Sequence, residues 1–136
     1  MKRIIGLLAL VAVLALPATS FAADKLPEGF IAMGEAKVNW EDAKAFCEQQ
    51  GGRLPAIGGS ESIDAVPKGT PIDGFGIVME TRWPKGLPDG FRDNYWTSTA
   101  RTDTDRMWAV SEQNSYFSVS PHHPTASTHW ALCVPK

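Results

Sequence analysis

A single pair of cysteines, Cys47 and Cys133, constrains the fold of this 136-residue chain more than any other feature. Cys47 lies in a stretch with helical character, NWEDAKAFCEQQGG, and Cys133 lies near the C-terminus in HWALCVPK. Both follow an N-terminal sequence typical of exported proteins, so we expect the chain to mature where thiols are oxidised. An even pair with no third cysteine then predicts one disulfide, which would tie an early helix to the last strand.

The N-terminal segment has the three parts of a secretory signal peptide. Lys2 and Arg3 precede an apolar run, and Ser20 and Ala22 occupy the small-residue positions before a cleavage site. We therefore expect residues 1–22 to be removed, leaving one secreted or periplasmic domain, residues 23–136. A retained membrane anchor is the alternative, but the run is shorter than the roughly 20 residues that span a bilayer. No membrane span is expected after removal of the signal.

The charge balance argues against nucleic acid as a partner. The chain has 15 acidic and 13 basic residues, and loss of Lys2 and Arg3 with the signal increases the acidic excess. Binding to nucleic acid requires a dense basic face instead. We therefore expect no nucleic-acid partner.

The first half of the predicted domain contains a short strand and two helices. Residues 30–33 are the candidate strand. Asn39 is a favourable N-cap for the first helix, which carries Cys47 on its apolar face and ends at the paired glycines 51–52. The pattern predicts a second, shorter helix over residues 61–66.

The second half of the domain is predicted to be a long loop followed by a sheet. Glycine and proline recur through residues 67–94 and leave room for one strand near 76–80. A loop of this length inside a compact domain is typical of a binding loop or a disordered one. Four strands follow, at residues 95–100, 106–111, 115–120 and 129–134, with residues 112–114 as a hairpin turn. Helices followed by an antiparallel meander predict the α+β class.

Several of these segments together resemble a known family. WEDAKAFCEQQGGRLPAI, then YWTST, MWAV and the C-terminal WALCV are similar to C-type lectin-like domains, and in particular to the bacterial branch typified by the C-terminal domain of Lcl-type adhesins. The resemblance covers residues 30–134. It implies two helices beside a twisted antiparallel sheet, a long loop region and a disulfide from the helix to the final strand. It also implies protein or sugar recognition, or adhesion, through the loop face.

The departures from the family limit the chemistry that the resemblance implies. Calcium-dependent sugar-binding members carry Glu-Pro-Asn or Gln-Pro-Asp followed by Trp-Asn-Asp, and neither triplet occurs in this chain. Calcium prefers six to eight convergent oxygens, so we expect no metal and no other cofactor. Formylglycine-generating enzymes share the fold and use reactive cysteines, but a structural disulfide would consume both cysteines of this chain. We therefore expect no enzymatic activity.

The candidate ligand-binding residues come mainly from the long loop. Exposed aromatic and arginine side chains are common energetic anchors of interfaces. On this basis the predicted site consists of Trp83, Asp89, Arg92, Asp93, Asn94 and, from the meander, Tyr116. The alternative for Trp83 is that it anchors its own loop to the core. The histidines at 122, 123 and 129 match no standard metal-ligand spacing, and we interpret them as incidental residues of a solvated loop.

These observations predict an exported, non-catalytic binding protein that recognises a protein or a glycan through its long-loop face. The alternative is a structural subunit of an extracellular or envelope assembly, which would make the chain a homo-oligomer. A small enzyme is a third, less favoured interpretation. Fold alone does not choose between these functions.

Overall fold

The computed structural model describes residues 26–88 and 93–136, so the predicted signal peptide lies outside the described residues. The elements in chain order are β1 (Ala32–Met33), α1 (Trp40–Gln49), β2 (Gly52–Arg53), β3 (Ser62–Ile63), β4 (Pro71–Ile72), β5 (Gly76–Ile77), β6 (Tyr95–Arg101), β7 (Met107–Gln113), β8 (Tyr116–His122) and β9 (Leu132–Pro135). This is mixed α and β structure, rich in sheet, with one short helix in the described part. None of the helical structure there has the length and apolar character needed to cross a membrane.

The strands form two sheets and a hairpin. The larger sheet has the order β3-β6-β7-β8, the smaller has the order β1-β9-β2, and β4 pairs with β5. Strand β9 is antiparallel to both of its neighbours, so the end of the chain pairs with its early strands. In the larger sheet β3 is parallel to β6, whereas β6, β7 and β8 are mutually antiparallel. The predicted antiparallel sheet is therefore corrected to a mixed one.

Helix α1 forms as its capping residues predict. The Asn39 side chain accepts a hydrogen bond of 2.9 Å from the backbone N–H of Asp42, which satisfies one of the unpaired donors of the first turn. Ala43 and Cys47 are fully buried on the inner face. The helix ends before Gly51, whose φ of +82° is a conformation that glycine adopts without strain.

The predicted disulfide is confirmed. Cys47 of α1 and Cys133 of β9 are bonded, with their Cα atoms 5.4 Å apart, and both residues are fully buried. The bond joins the helix to the central strand of the smaller sheet. Glycine is required beside it at position 52, because an added Cβ would meet the carbonyl oxygen of Val134.

The predicted second helix, residues 61–66, is wrong. The segment contains the two-residue strand β3, which pairs in parallel with the end of β6. The carbonyl oxygen of Glu61 accepts a hydrogen bond of 2.8 Å from Ala100, and that of Ile63 accepts one of 3.2 Å from Thr102. The indole N–H of Trp108 also donates to the Ile63 carbonyl, at 3.1 Å. A six-residue helix would be marginal in isolation, and the edge of β6 offers these backbone groups partners that a helix would lose.

The hairpin between β7 and β8 is tighter than predicted. Gln113 pairs with Tyr116, which leaves a two-residue turn in place of the predicted turn at residues 112–114. Asn114 and Ser115 have φ values of +52° and +71°, as in the turns whose twist matches that of paired strands. The turn fixes the register of the whole hairpin, and so places Tyr116 at the start of β8.

Two clusters of buried side chains form the core. One contains Phe75, Tyr95 and Phe117 and lies between the larger sheet and the segment that contains the β4-β5 hairpin. The other surrounds the disulfide and contains Trp96 and Ala43. The first cluster is the one that positions the long loop, since Phe75 belongs to that loop.

Candidate functional site

The middle of the long loop is attached to the outer edge of β8. The backbone N–H of Met79 donates to the Phe117 carbonyl at 2.8 Å, and the N–H of Phe117 donates to Thr81 at 3.2 Å. The N–H of Trp83 then donates to Ser115 at 2.8 Å. Residues 79–83 therefore run beside β8 as an extension of the larger sheet. Residues 81–83, which lie beyond the strand predicted near 76–80, are thus also held by sheet-like hydrogen bonds.

The Trp83 ring packs against the first core cluster. Its centroid lies 5.1 Å from that of Phe117, 5.5 Å from that of Tyr95 and 6.1 Å from that of Phe75. These separations lie in the range of favourable aromatic contacts. Trp83 is half-buried, so much of the ring is used to anchor its own loop, which is the alternative that the sequence left open.

A surface groove of about 460 Å³ opens beside Trp83. We define the loop face as the residues that line this groove together with Tyr116: Arg82, Trp83, Pro84, Lys85, Gly86, Leu87, Glu112, Ser115 and Tyr116. Arg82 and Lys85 are exposed cations of this face, and Glu112 supplies one carboxylate. Among residues 26–88 and 93–136, neither cation forms an ion pair.

Arg82 is held in a defined position by Tyr116. Its guanidinium carbon lies 5.1 Å from the centre of the Tyr116 ring, and the two residues form an isolated β-bridge. A stacked guanidinium keeps its N–H groups directed outward in its own plane, where they can bind a carboxylate with two hydrogen bonds. The structure thus places Trp83 and Tyr116 of the predicted site on one face and adds Arg82, which pairs with Tyr116.

Asp93 and Asn94, two other residues of the predicted site, do not line this groove. Asp93 forms an ion pair of 2.9 Å with Lys37, and the side chain of Asn94 contacts His122 at 2.8 Å. Asp89 and Arg92 lie outside the described residues. In the described part of the chain, the predicted site therefore divides into the loop face and a separate group of residues around Asn94.

Residues that sequence reasoning missed lie around Asn94. His122 and His129 are half-buried and their rings are in contact, with centroids 4.3 Å apart. We interpreted them from the sequence as incidental residues of a solvated loop, and their contact is not visible in their spacing. Among the described residues, no three histidine, cysteine, aspartate or glutamate side chains converge as a metal site would require.

A second groove, of about 490 Å³, lies between α1 and the turn at residues 58–60. Trp40 and Lys44 line its helical side, and the Lys44 ammonium lies 5.3 Å from the centre of the Trp40 ring. On the opposite side Arg53 is paired with Asp73 at 2.7 Å, and Asp73 also accepts a hydrogen bond from the backbone of Ala56. The Arg53 guanidinium on that side is already paired with a carboxylate, whereas Arg82 of the loop face forms no ion pair with a described residue.

Comparison of the chain with protein-family models, with curated proteins and with solved structures found no match.

Proposed function

We propose that this chain is an exported, non-catalytic binding protein with a C-type lectin-like fold, and that it recognises a protein or glycan ligand through the loop face. The position of the disulfide supports the fold assignment, because it joins α1 to the last strand, β9, which also pairs with β1. The disulfide also supports export to an oxidising compartment, since such bonds persist there. Both cysteines of the chain are in this bond, so neither is free to act as a nucleophile.

The observation that carries the proposal is the fixed position of Arg82 on the loop face. Backbone hydrogen bonds hold residues 79–83 against β8, and Tyr116 holds the guanidinium above its ring. Preorganised side chains lose less entropy on binding. With Lys85 on the same face, the groove favours a ligand group that carries negative charge, such as the carboxylate of an acidic sugar or of an acidic side chain.

Arrays of glycans and of extracellular proteins test this proposal, with and without a chelator. We expect hits among acidic ligands, with affinity that falls as salt concentration rises. Arg82→Ala and Tyr116→Ala should each weaken the affinity for a hit at least about tenfold, the effect of about 1.4 kcal/mol of lost binding energy. Arg101→Ala is the matched control, because Arg101 is an exposed arginine on β6 that does not line the groove. Unchanged affinity in both loop-face variants would contradict the proposal.

The outer edge of β8 is relevant to the alternative function, that of a structural subunit of an assembly, because subunits can associate by pairing edge strands. β8 is an outer strand of the larger sheet, but residues 79–83 already pair with its first half. Pro121 in its second half has no N–H to donate, and proline on an edge strand disfavours pairing with another chain. Assembly by strand addition at this edge is therefore disfavoured. Light scattering that shows filaments at rising protein concentration would restore the alternative.

A further inference from the structure

Three aromatic rings meet where the connection between β8 and β9 contacts the larger sheet. We call His122, His129 and Trp96 the histidine cluster. Its ring centroids are 4.3 Å apart for the two histidines, 4.6 Å for Trp96 and His129, and 6.4 Å for Trp96 and His122, and all three pairs are edge-to-face. Trp96 is fully buried, whereas both histidines are half-buried. The cluster is separate from the loop face.

The histidine cluster connects three distant segments of the chain. His129 and Val38 exchange two backbone hydrogen bonds of 2.9 Å, and the Trp96 indole donates to the same Val38 carbonyl at 2.8 Å. The N–H of Trp130 donates to the Asn94 carbonyl at 2.9 Å, so the residues that precede β9 are also held against the start of β6. These contacts hold the connection between β8 and β9 against β6 of the larger sheet and against the segment that precedes α1.

The orientation of the Asn94 amide favours a neutral ring at His122. The Asn94 side-chain nitrogen lies 2.8 Å from His122 Nε2, and an amide nitrogen can only donate. His122 Nε2 therefore accepts this bond, and the Ser120 hydroxyl lies 3.0 Å from the same nitrogen. A proton on Nε2 would place two donors face to face and break the bond to Asn94.

His129 is also suited only to the neutral state. Its Nε2 is buried and has no hydrogen-bond partner within the described part of the chain. A proton there would create a charged donor without an acceptor, which is costly in a buried position. The second imidazole at 4.3 Å adds repulsion if both rings become charged.

Burial and the charged groups around the cluster together lower the pKa of both histidines, which favours their neutral forms. The pKa of His129 is lowered to about 4, mainly by burial and also by the charges of His122 and Lys37, while Asp93 acts in the opposite direction. Burial also lowers the pKa of His122, with a smaller contribution from Arg106, the residue before β7. The third histidine of this region, His123, is bound to Asp105 at 2.6 Å, outside the cluster.

We propose that the histidine cluster is an acid-sensitive latch: with both rings neutral it holds the β8–β9 connection against β6 and the segment before α1, and protonation releases that connection. In the unfolded or open state the histidines bind protons near their ordinary pKa of about 6.5. Because the closed state binds them only at lower pH, the closed state is fully favoured above about pH 6.5 and loses stability between about pH 6.5 and 4. The disulfide keeps β9 attached to α1 while the connection opens.

Amide hydrogen exchange of the folded protein tests the latch, with NMR titration of the three histidine rings. The quantity compared is the protection factor, which corrects for the intrinsic pH dependence of exchange. The proposal predicts that the His129 and Trp130 amides lose protection by up to about tenfold per pH unit for each proton taken up below pH 6.5. The loss should coincide with ring titration of His122 and His129 below their ordinary pKa. Amides of β7 should stay protected.

Two variants separate the latch from a general acid effect. His129→Phe keeps an aromatic ring but cannot be protonated, so protection of Trp130 should become less dependent on pH. His123→Asn removes a histidine outside the cluster and should leave the wild-type profile unchanged. The proposal is overturned if the wild-type amides stay protected while both rings become charged, or if both rings titrate near pH 6.5. Both of these outcomes are measured on the wild-type protein, so the proposal can be tested even if a variant fails to fold.

Discussion

Replacement of Trp83 by alanine should destabilise the domain as well as alter the loop face. The ring lies within 5.1 to 6.1 Å, centroid to centroid, of three aromatic rings in the core cluster. Complete burial of a tryptophan or phenylalanine corresponds to about 3–5 kcal/mol lost on truncation to alanine. Because Trp83 is only half-buried, we expect the lower end, about 3 kcal/mol. For a domain of this size that loss lowers the Tm by roughly 10 °C.

Thermal unfolding followed by near-ultraviolet circular dichroism measures this effect, with urea unfolding as a second measure. Trp83→Phe should retain most of the contacts and lose only about 1 kcal/mol. Arg82→Ala is the neighbouring control, since it removes an exposed guanidinium and should change stability by less than about 0.5 kcal/mol. A Tm for Trp83→Ala within 2 °C of wild type, a margin small beside the roughly 10 °C expected, would refute the packing argument and return Trp83 to the role of a free ligand anchor.

Three further changes test the scaffold, each by urea unfolding. The double variant Cys47→Ala and Cys133→Ala removes a disulfide that links residues 86 positions apart. The chain-entropy model predicts that the free energy of unfolding falls by about 4.6 kcal/mol. A fall of less than about 1 kcal/mol would show that the disulfide contributes little to stability. Thr99→Val should cost about 1–3 kcal/mol because its buried hydroxyl bonds two backbone groups, whereas the exposed Thr104→Val should cost less. Asn39→Ala should lower the free energy of unfolding by about 1 kcal/mol because the N-cap hydrogen bond is lost. Asn39→Asp keeps a capping side chain and should retain the wild-type stability.

The features predicted correctly from the sequence rest on local signals. The N-cap Asn39 and the glycine at 51 define α1 through interactions within a few residues. The disulfide also needed no geometry, because two cysteines allow a single intramolecular pairing. The strands at β6, β7 and β8 follow from runs of aromatic and β-branched residues.

The features that the sequence could not predict depend on contacts between distant segments. Residues 61–66 have no strand pattern of their own, and two of them, Ser62 and Ile63, form β3 because β6 offers an open edge. The role of Trp83 depends on Phe117, a residue 34 positions away that lies opposite it only once β8 has formed. The contact between His122 and His129 likewise depends on how the β8–β9 connection folds back. In each case tertiary contacts override local preference.

The most direct test of the account is an NMR footprint of a ligand identified by the arrays, measured on the oxidised protein. We predict that the largest shift changes fall on Arg82, Lys85 and Tyr116, and that the amides of α1 remain unchanged. A footprint centred on Trp40 and Lys44, in the groove beside α1, would contradict the central claim that the loop face is the recognition surface.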